Sequence, residues 1–419
     1  MTLLFGVALQ ADTAGDLAAQ AEQLLRNNDR TGALALLTKA DQATDTSAAS
    51  EDHIGFLYAV LQQSDDAILR FEKAIQLDSK FAPAHFHLGA ALWNAQQRER
   101  ALPELQTAAQ IDPKSFDYRF RLGSAYLFKG DLTQAIQELK DATQLNEASS
   151  PAWTALAQAY QAKGDLAAAT DALAKAASLD PGNDELHNNY AFALISTRQA
   201  DRGIEEAQKI LAHDPKNTSA IMNIAYAHLK KGEFDEAAAS YRQMLSIDPN
   251  SAAAHYDLGI ALKSRDQLEA ATGEFREAIR LDPNLSQAYY SLGLTEWQMG
   301  DFAGLTEQMR AAIKVSPNYA EAYYMLGIAL KHDGDLDGAL AALRQSIKLD
   351  PTTPGPYNTI GEILHKKGDS AGSAEAFATG AKIKRDNESE LANTLEQGMR
   401  GGDTMKPIAP EPQKPAGPQ

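Results

Sequence analysis

Apolar residues in this chain recur three and four positions apart in short bursts, and the bursts themselves recur. From Ala82 onward, His85, Leu88, Gly89 and Leu92 stand at i, i+3, i+4 and i+7, one face of a short helix. Ala101, Leu105 and Ala108 mark the buried face of a second. Many such pairs are joined by a glycine and an acid: Gly130-Asp131, Gly164-Asp165, Gly232-Glu233, Gly300-Asp301, Gly334-Asp335 and Gly368-Asp369. Glycine accepts the left-handed conformation that ends a helix. The acid is suited to cap the next helix and to face the positive end of its dipole. Where one pair gives way to the next there is often Asp-Pro, as at Asp282-Pro283, and proline cannot continue the helix behind it. The pattern predicts an all-α chain of helix-turn-helix pairs.

The pairs keep a fixed period. Pro181, Pro215, Pro249, Pro283, Pro317 and Pro351 are 34 residues apart, and Pro113 lies two periods before Pro181. A column of small residues keeps the same step: Ala21, Gly55, Gly89, Gly123, Ala157, Ala191, Ala225, Gly259, Gly293, Gly327 and Gly361. Twelve residues later a second small column runs from Ala33, with Gly203 and Leu305 as its departures. Small residues at helix crossings let the axes approach, while larger neighbours fill the holes. Eleven units thus run without insertion over 14–387. Helices this short are marginal alone, so stability comes from nearest-neighbour stacking in a repeat array.

Trp153, Leu156, Ala157, Tyr160, Ala169, Leu173 and Ala176 match the tetratricopeptide repeat pattern column by column, and the chain resembles that family over about nine-tenths of its length. The resemblance implies a right-handed superhelical solenoid of about eleven 34-residue repeats, with a concave groove lined by the first helix of each unit. It also implies a protein-binding scaffold. At the C-terminal end, Asn387 and Glu390 form a capping-box-like start, which predicts a separate capping helix over 388–401. Residues 402–419 read as a Pro-rich disordered tail, whose PxxP spacings at Pro407–Pro410 and Pro412–Pro415 are taken as part of a flexible end.

Charge and composition narrow the functions. Acidic residues outnumber basic ones by 56 to 39, for a net charge of −17, which argues against a nucleic-acid partner. The chain has no cysteine, so disulfides, thiolate metal sites and a cysteine nucleophile are excluded. No apolar run is long enough to cross a membrane. Residues 1–13 include the apolar stretch Leu3–Leu9 and the small-residue end Leu9-Gln10-Ala11, the outline of a signal-peptide remnant without its positive opening. An exported, periplasmic location of a bacterial protein is therefore favoured over a cytoplasmic one.

No motif for catalysis, a cofactor or a metal is present, and the chain is read as a non-enzyme. His85, His187 and His255 share the column held elsewhere by Trp153, Tyr289, Tyr323 and Tyr357, so they read as packing residues. His85 and His87 are two apart and point to different helix faces, against a shared zinc. By family analogy, the column Phe86, Phe120, Met222, Tyr256, Tyr290 and Tyr324 looks into the groove, with Phe56, Phe192 and Tyr226 one turn further along. Such an aromatic row would bury a partner's apolar side chains and bond its backbone. Asn189 and Asn223, one residue beyond that column, form a two-rung asparagine ladder of the kind some family members use to grip a peptide backbone. The expected partner-contacting set is Phe86, Phe120, Asn189, Asn223, Tyr226, Tyr256, Tyr290 and Tyr324. The leading function is a scaffold holding a peptide or partner protein. The alternatives are the substrate-recruiting subunit of a complex with a separate glycosyltransferase or protease, or a structural part of a cell-envelope assembly.

Overall fold

The structure, a computed structural model, describes residues 13–400, with side chains described to residue 393. The predicted N-terminal segment up to residue 12 and the tail from 401 lie outside the described residues. Among the described residues there are 22 α-helices and no strands. They form eleven pairs, from α1 (Ala14–Arg26) with α2 (Arg30–Ala40) to α21 (Pro354–Lys366) with α22 (Ser370–Arg400).

The chain divides into two compact units. The first holds residues up to Gly164 with Asp171–Asp180; the second holds Asp165–Thr170 and the residues from Pro181. Within the first unit, α3 (Ala48–Val60) packs on α4 (Ser64–Leu77), and α4 on α5 (Ala82–Asn94), which pairs with α6 (Arg98–Ile111). Then α7 (Phe116–Lys129) pairs with α8 (Leu132–Leu145), which leans on α9 (Ser150–Lys163). The second unit repeats this with α11 (Asp184–Ser196), α12 (Ala200–Leu211), α13 (Thr218–Lys231), α14 (Phe234–Ile247), α15 (Ala252–Ser264) and α16 (Leu268–Leu281). It continues through α17 (Ser286–Gln298), α18 (Phe302–Val315), α19 (Ala320–His332) and α20 (Leu336–Leu349). Helix α10 (Leu166–Leu179) is shared between the two units.

The small columns are where helices of a pair cross. A Cβ added at Gly259 would lie 2.6 Å from the Phe275 ring, and one at Gly327 the same distance from Leu343. In the pair α11–α12 the glycine has moved across the seam: Ala191 occupies the first column, and a Cβ on Gly203 would meet its carbonyl oxygen at 2.9 Å. That explains the departure at Gly203. In the pair α17–α18 the second small column holds a fully buried Leu305 instead.

The joint inside every pair uses one backbone conformation. Gly130, Gly164, Gly232, Gly300, Gly334 and Gly368 have φ between 75° and 86°. In the other five units Asn28, Gln62, Gln96, Arg198 and Asp266 sit at the same place with φ between 60° and 65°. The predicted acid caps are only partly present. Asp165, Asp301, Asp335 and Asp369 accept from the backbone N–H three residues on. Asp131 and Glu233 make no such bond, and the Glu233 carboxylate is drawn instead to Lys231 and His228. At the boundary between pairs the aspartate closes a small turn: Asp282 accepts from the Asn284 N–H at 2.9 Å and Asp350 from Thr352 at 2.9 Å.

The C-terminal end differs from the expectation. No helix begins at Asn387; α22 runs unbroken from Ser370 to Arg400. The reason is local. Arg385 replaces the boundary proline, and no glycine or proline lies between Gly380 and Gly398 to interrupt the helix. The Asn387 amide instead donates to the Thr352 carbonyl at 3.1 Å, tying the long helix to the preceding boundary.

Candidate functional site

First helices of neighbouring pairs touch one another, as α3 does α5, α11 does α13 and α19 does α21. A 35-residue register carries their polar contacts. The His87 ring bonds Asp52 at 2.8 Å, the Asn223 amide donates to the Asn188 carbonyl at 3.0 Å, and the Ser291 hydroxyl lies 3.5 Å from that of Tyr256. The first member of each pair belongs to the expected aromatic column, or to the same column one period earlier. The second stands one residue beyond that column on the next first helix.

This register decides what the expected site residues do. In the first unit Phe86 is half-buried, its ring 4.8 Å from Tyr118, and Phe120 stacks on Phe116 at 5.6 Å. The other six lie in the second unit. Asn189 is exposed, with no side-chain bond among the described residues, whereas Asn223 is buried with both Nδ2 contacts directed at Asn188. The two asparagines are therefore not equivalent rungs: Asn223 staples α11 to α13, and its donor is already used. Tyr226 is half-buried, nearly parallel to the half-exposed Phe192 at 5.7 Å, with the Lys230 ammonium 5.1 Å over its ring.

Tyr256, Tyr290 and Tyr324 are half-buried along successive first helices. Tyr256 leans on the buried Phe275 and Tyr290 on Tyr319, at 5.9 and 5.1 Å between rings. A Cβ on Gly355 would come within 2.7 Å of the Tyr324 hydroxyl, so that ring lies over the backbone of α21. Burial raises the pKa of all three phenols, that of Tyr290 to about 12, so they remain neutral hydrogen-bonding groups. The row is thus both packing and surface: one edge of each ring meets the next pair, and the remainder meets solvent.

Two features were not read from the sequence. The histidine column is a set of polar joints. The ring of His85 reaches Glu104 at 2.6 Å and the Ser79 carbonyl at 3.1 Å; that of His255 reaches Glu274 at 2.6 Å and the Pro249 carbonyl at 3.2 Å. His187 pairs with Glu206 likewise. Arg119 makes the same two bonds, to Glu138 at 2.5 Å and the Pro113 carbonyl at 3.2 Å. The signal was present in the chain: a glutamate follows nineteen residues after His85, Arg119, His187 and His255, but alanine follows Trp153, Tyr323 and Tyr357. The second feature is Asp257, beside Tyr256 on α15, a carboxylate that burial pushes up to about 6. Among the described residues there is no cluster of three His, Asp or Glu placed to hold a metal ion, and no helix long and apolar enough to span a membrane.

Comparison with family models supports the repeat architecture. The model for the cytochrome c-type biogenesis protein H TPR domain matches residues 139–255. Two tetratricopeptide repeat models match 92–159 with 228–293, and 57–116 with 290–354. No curated protein matches. Among solved structures, the chain is similar to MamA (residues 41 to the end) from Desulfovibrio magneticus RS-1, with 25% identity and a TM-score of 0.38, covering 40% of this chain and 96% of that one. It is also similar to yeast Tom70, with 14% identity and a TM-score of 0.45, covering 92% and 96%. A third is YrrB, described as a TPR protein with an unusual peptide-binding site, with 21% identity, a TM-score of 0.38 and coverage of 45% and 97%. Together the family models cover residues 57–354, a stretch built of these helix pairs, and the chain belongs to the tetratricopeptide repeat family.

Proposed function

We propose that the protein is a non-enzymatic scaffold that holds an extended peptide, or an extended segment of a partner protein, against the first-helix face of its second unit. The observation that carries this reading is the band formed by Phe192, Tyr226, Tyr256, Tyr290 and Tyr324. These large flat side chains, half-buried or half-exposed, stand on consecutive first helices, Phe192 and Tyr226 in one column of the repeat and Tyr256, Tyr290 and Tyr324 in another, one turn earlier along the helix. Such rings offer apolar area at small entropic cost and a polar edge for a peptide backbone. The histidines that could have served chemistry are bonded into helix pairs instead. An exported location, favoured by the apolar stretch Leu3–Leu9, is part of this proposal.

The test uses side chains that are exposed enough to change without disturbing the stack. Met222 is 41% and Phe192 50% exposed. The partners co-purifying with the wild-type chain in its native organism are compared with those of Met222→Glu, Phe192→Glu and the control Arg242→Glu, which alters an exposed position on the second helix α14. Loss of the same partner from both groove variants, with the control and the helical circular dichroism unchanged, is the expected result. Retention of every partner by both groove variants would overturn the proposal.

A further inference from the structure

A second register, with partners 30 residues apart, ties the start of a second helix to the end of the next first helix. In the second unit it carries ion pairs. Asp201 on α12 meets Lys231 on α13 at 2.8 Å, and Asp235 meets Arg265 and Asp337 meets Lys367 in the same way. Those cations are neutralised inside the chain. In the first unit the same register joins Arg98, the first residue of α6, to Phe128 near the end of α7. Here the guanidinium carbon lies 4.1 Å from the centroid of the Phe128 ring. The Trp93 indole of α5 completes the group, nearly perpendicular to Phe128 at 5.4 Å and 5.6 Å from the same guanidinium.

This trio is more than a staple between helices. Phe128 is 60% exposed, more than any other large apolar side chain among the described residues. Arg98 is exposed and has no carboxylate partner among them; its side chain bonds only the Gln96 amide oxygen, at 2.6 Å. Stacking on a ring leaves the remaining in-plane donors of a guanidinium free. Of the residues next to Arg98 and Phe128 in sequence, Lys129 adds a positive charge and Glu99 a negative one, so the excess is the one Arg98 supplies. Aromatic rings and arginine are also the side chains that dominate binding energy at protein interfaces. The charge decides the occupant: a preorganised guanidinium takes a carboxylate in its plane, and the rings beside it take apolar side chains. An anionic membrane would have to approach a chain of net charge −17, which repels it. We propose that Trp93, Arg98 and Phe128 form a docking site for an acidic segment of a partner protein, in which a glutamate or aspartate is flanked by apolar residues. The site belongs to the first unit and does not depend on the reading given above for the second.

The test uses pools of fluorescein-labelled nine-residue peptides, randomised except for a central Leu-Glu-Leu, Leu-Gln-Leu or Leu-Lys-Leu. Binding to the full chain is followed by fluorescence anisotropy. The glutamate pool should bind about fivefold more tightly than the glutamine pool, the margin of a charge-assisted pair over a neutral hydrogen bond, and the lysine pool most weakly. Arg98→Gln should abolish that preference and bind the glutamine pool as the wild type does. Phe128→Ser should weaken the glutamate and glutamine pools about fivefold, the loss expected of an aromatic contact residue. Helical circular dichroism should not change in either variant, because both side chains are exposed. Equal binding of the glutamate and glutamine pools, a preference that survives in Arg98→Gln, or no binding of any pool would overturn the inference. A fall in helicity with either variant would overturn it too, showing that the trio only joins α6 to α7. So would binding of phosphatidylglycerol vesicles that is lost in Phe128→Ser, without a glutamate preference. The scaffold reading of the second unit is judged separately, by what Met222→Glu and Phe192→Glu do to its partner.

Discussion

Replacing Asp257 by asparagine should stabilise the second unit in a pH-dependent way, before any ligand is considered. The carboxyl is raised from 3.8 to about 6 by burial. A folded value above the unfolded one means that the native state binds the proton more tightly. Stability contributed by the protonated form is fully present below about pH 4 and is lost as pH rises through 6. At 1.36 kcal/mol per pKa unit, the ionised carboxylate costs the fold about 3 kcal/mol at pH 7. Residual solvent contact, and the unpaired amide that asparagine leaves behind, reduce the expected gain to about 1–2 kcal/mol. Repeat arrays need not unfold in one step, so the measurement should be local: hydrogen exchange of amides in α13–α16, read by mass spectrometry at pH 7 and pH 4.5. Protection should rise in Asp257→Asn at pH 7 and rise by much less at pH 4.5. An equal gain at both values, or none at pH 7, would show that Asp257 finds its counter-charge within the chain, and the reasoning about its isolation would fail.

Two further outcomes follow from the joints. Gln62 has φ 65° at the position where six other units carry glycine, and its side chain has no bond among the described residues. Left-handed backbone costs a non-glycine residue about 1–2 kcal/mol, offset in part by the greater freedom glycine loses on folding, so Gln62→Gly should stabilise the first unit by about 0.5–1 kcal/mol in urea unfolding. A destabilised variant would refute the strain argument. His85→Arg should stay within about 0.5 kcal/mol of wild type, because Arg119 already makes the equivalent two bonds one period later, whereas His85→Leu strands Glu104 and the Ser79 carbonyl and should cost about 1–3 kcal/mol. Equal damage from both would show that ring packing, not the pair of bonds, holds the joint.

How far the sequence could be read depends on which signals the period carries. A 34-residue repeat makes each column its own control, so the helix pairs, the small residues at their crossings and the Asp-Pro boundaries were legible. The positive-φ joint was legible by residue type in the six units with glycine. In the other five it was visible only by position, since glutamine or arginine does not announce a left-handed residue. The missing break at Asn387 shows the converse: a capping-box spelling does not start a helix when nothing upstream ends one. The bond that Asn223 makes was not legible, because a column names which residues are equivalent, not which neighbours they meet. Its bond to Asn188 crosses from one unit of the period to the next at 35 residues rather than 34.

That one-residue offset also organises the candidate site. Side chains in the column after the aromatic row have two possible partners: the preceding first helix, or whatever lies along the face. Those bonded to the helix, such as His87, Asn223 and Ser291, are held in place and contribute to stacking. Those without a partner keep their hydrogen-bonding capacity for a ligand. Among the described residues of that column, the unpaired charges are Arg121 in the first unit and Asp257 in the second. Under the scaffold proposal, recognition would concentrate where stacking has left polar groups unsatisfied, with the aromatic row supplying area beside them. A scaffold built this way can change its specificity by altering one register position, without altering the crossings that hold the helices together.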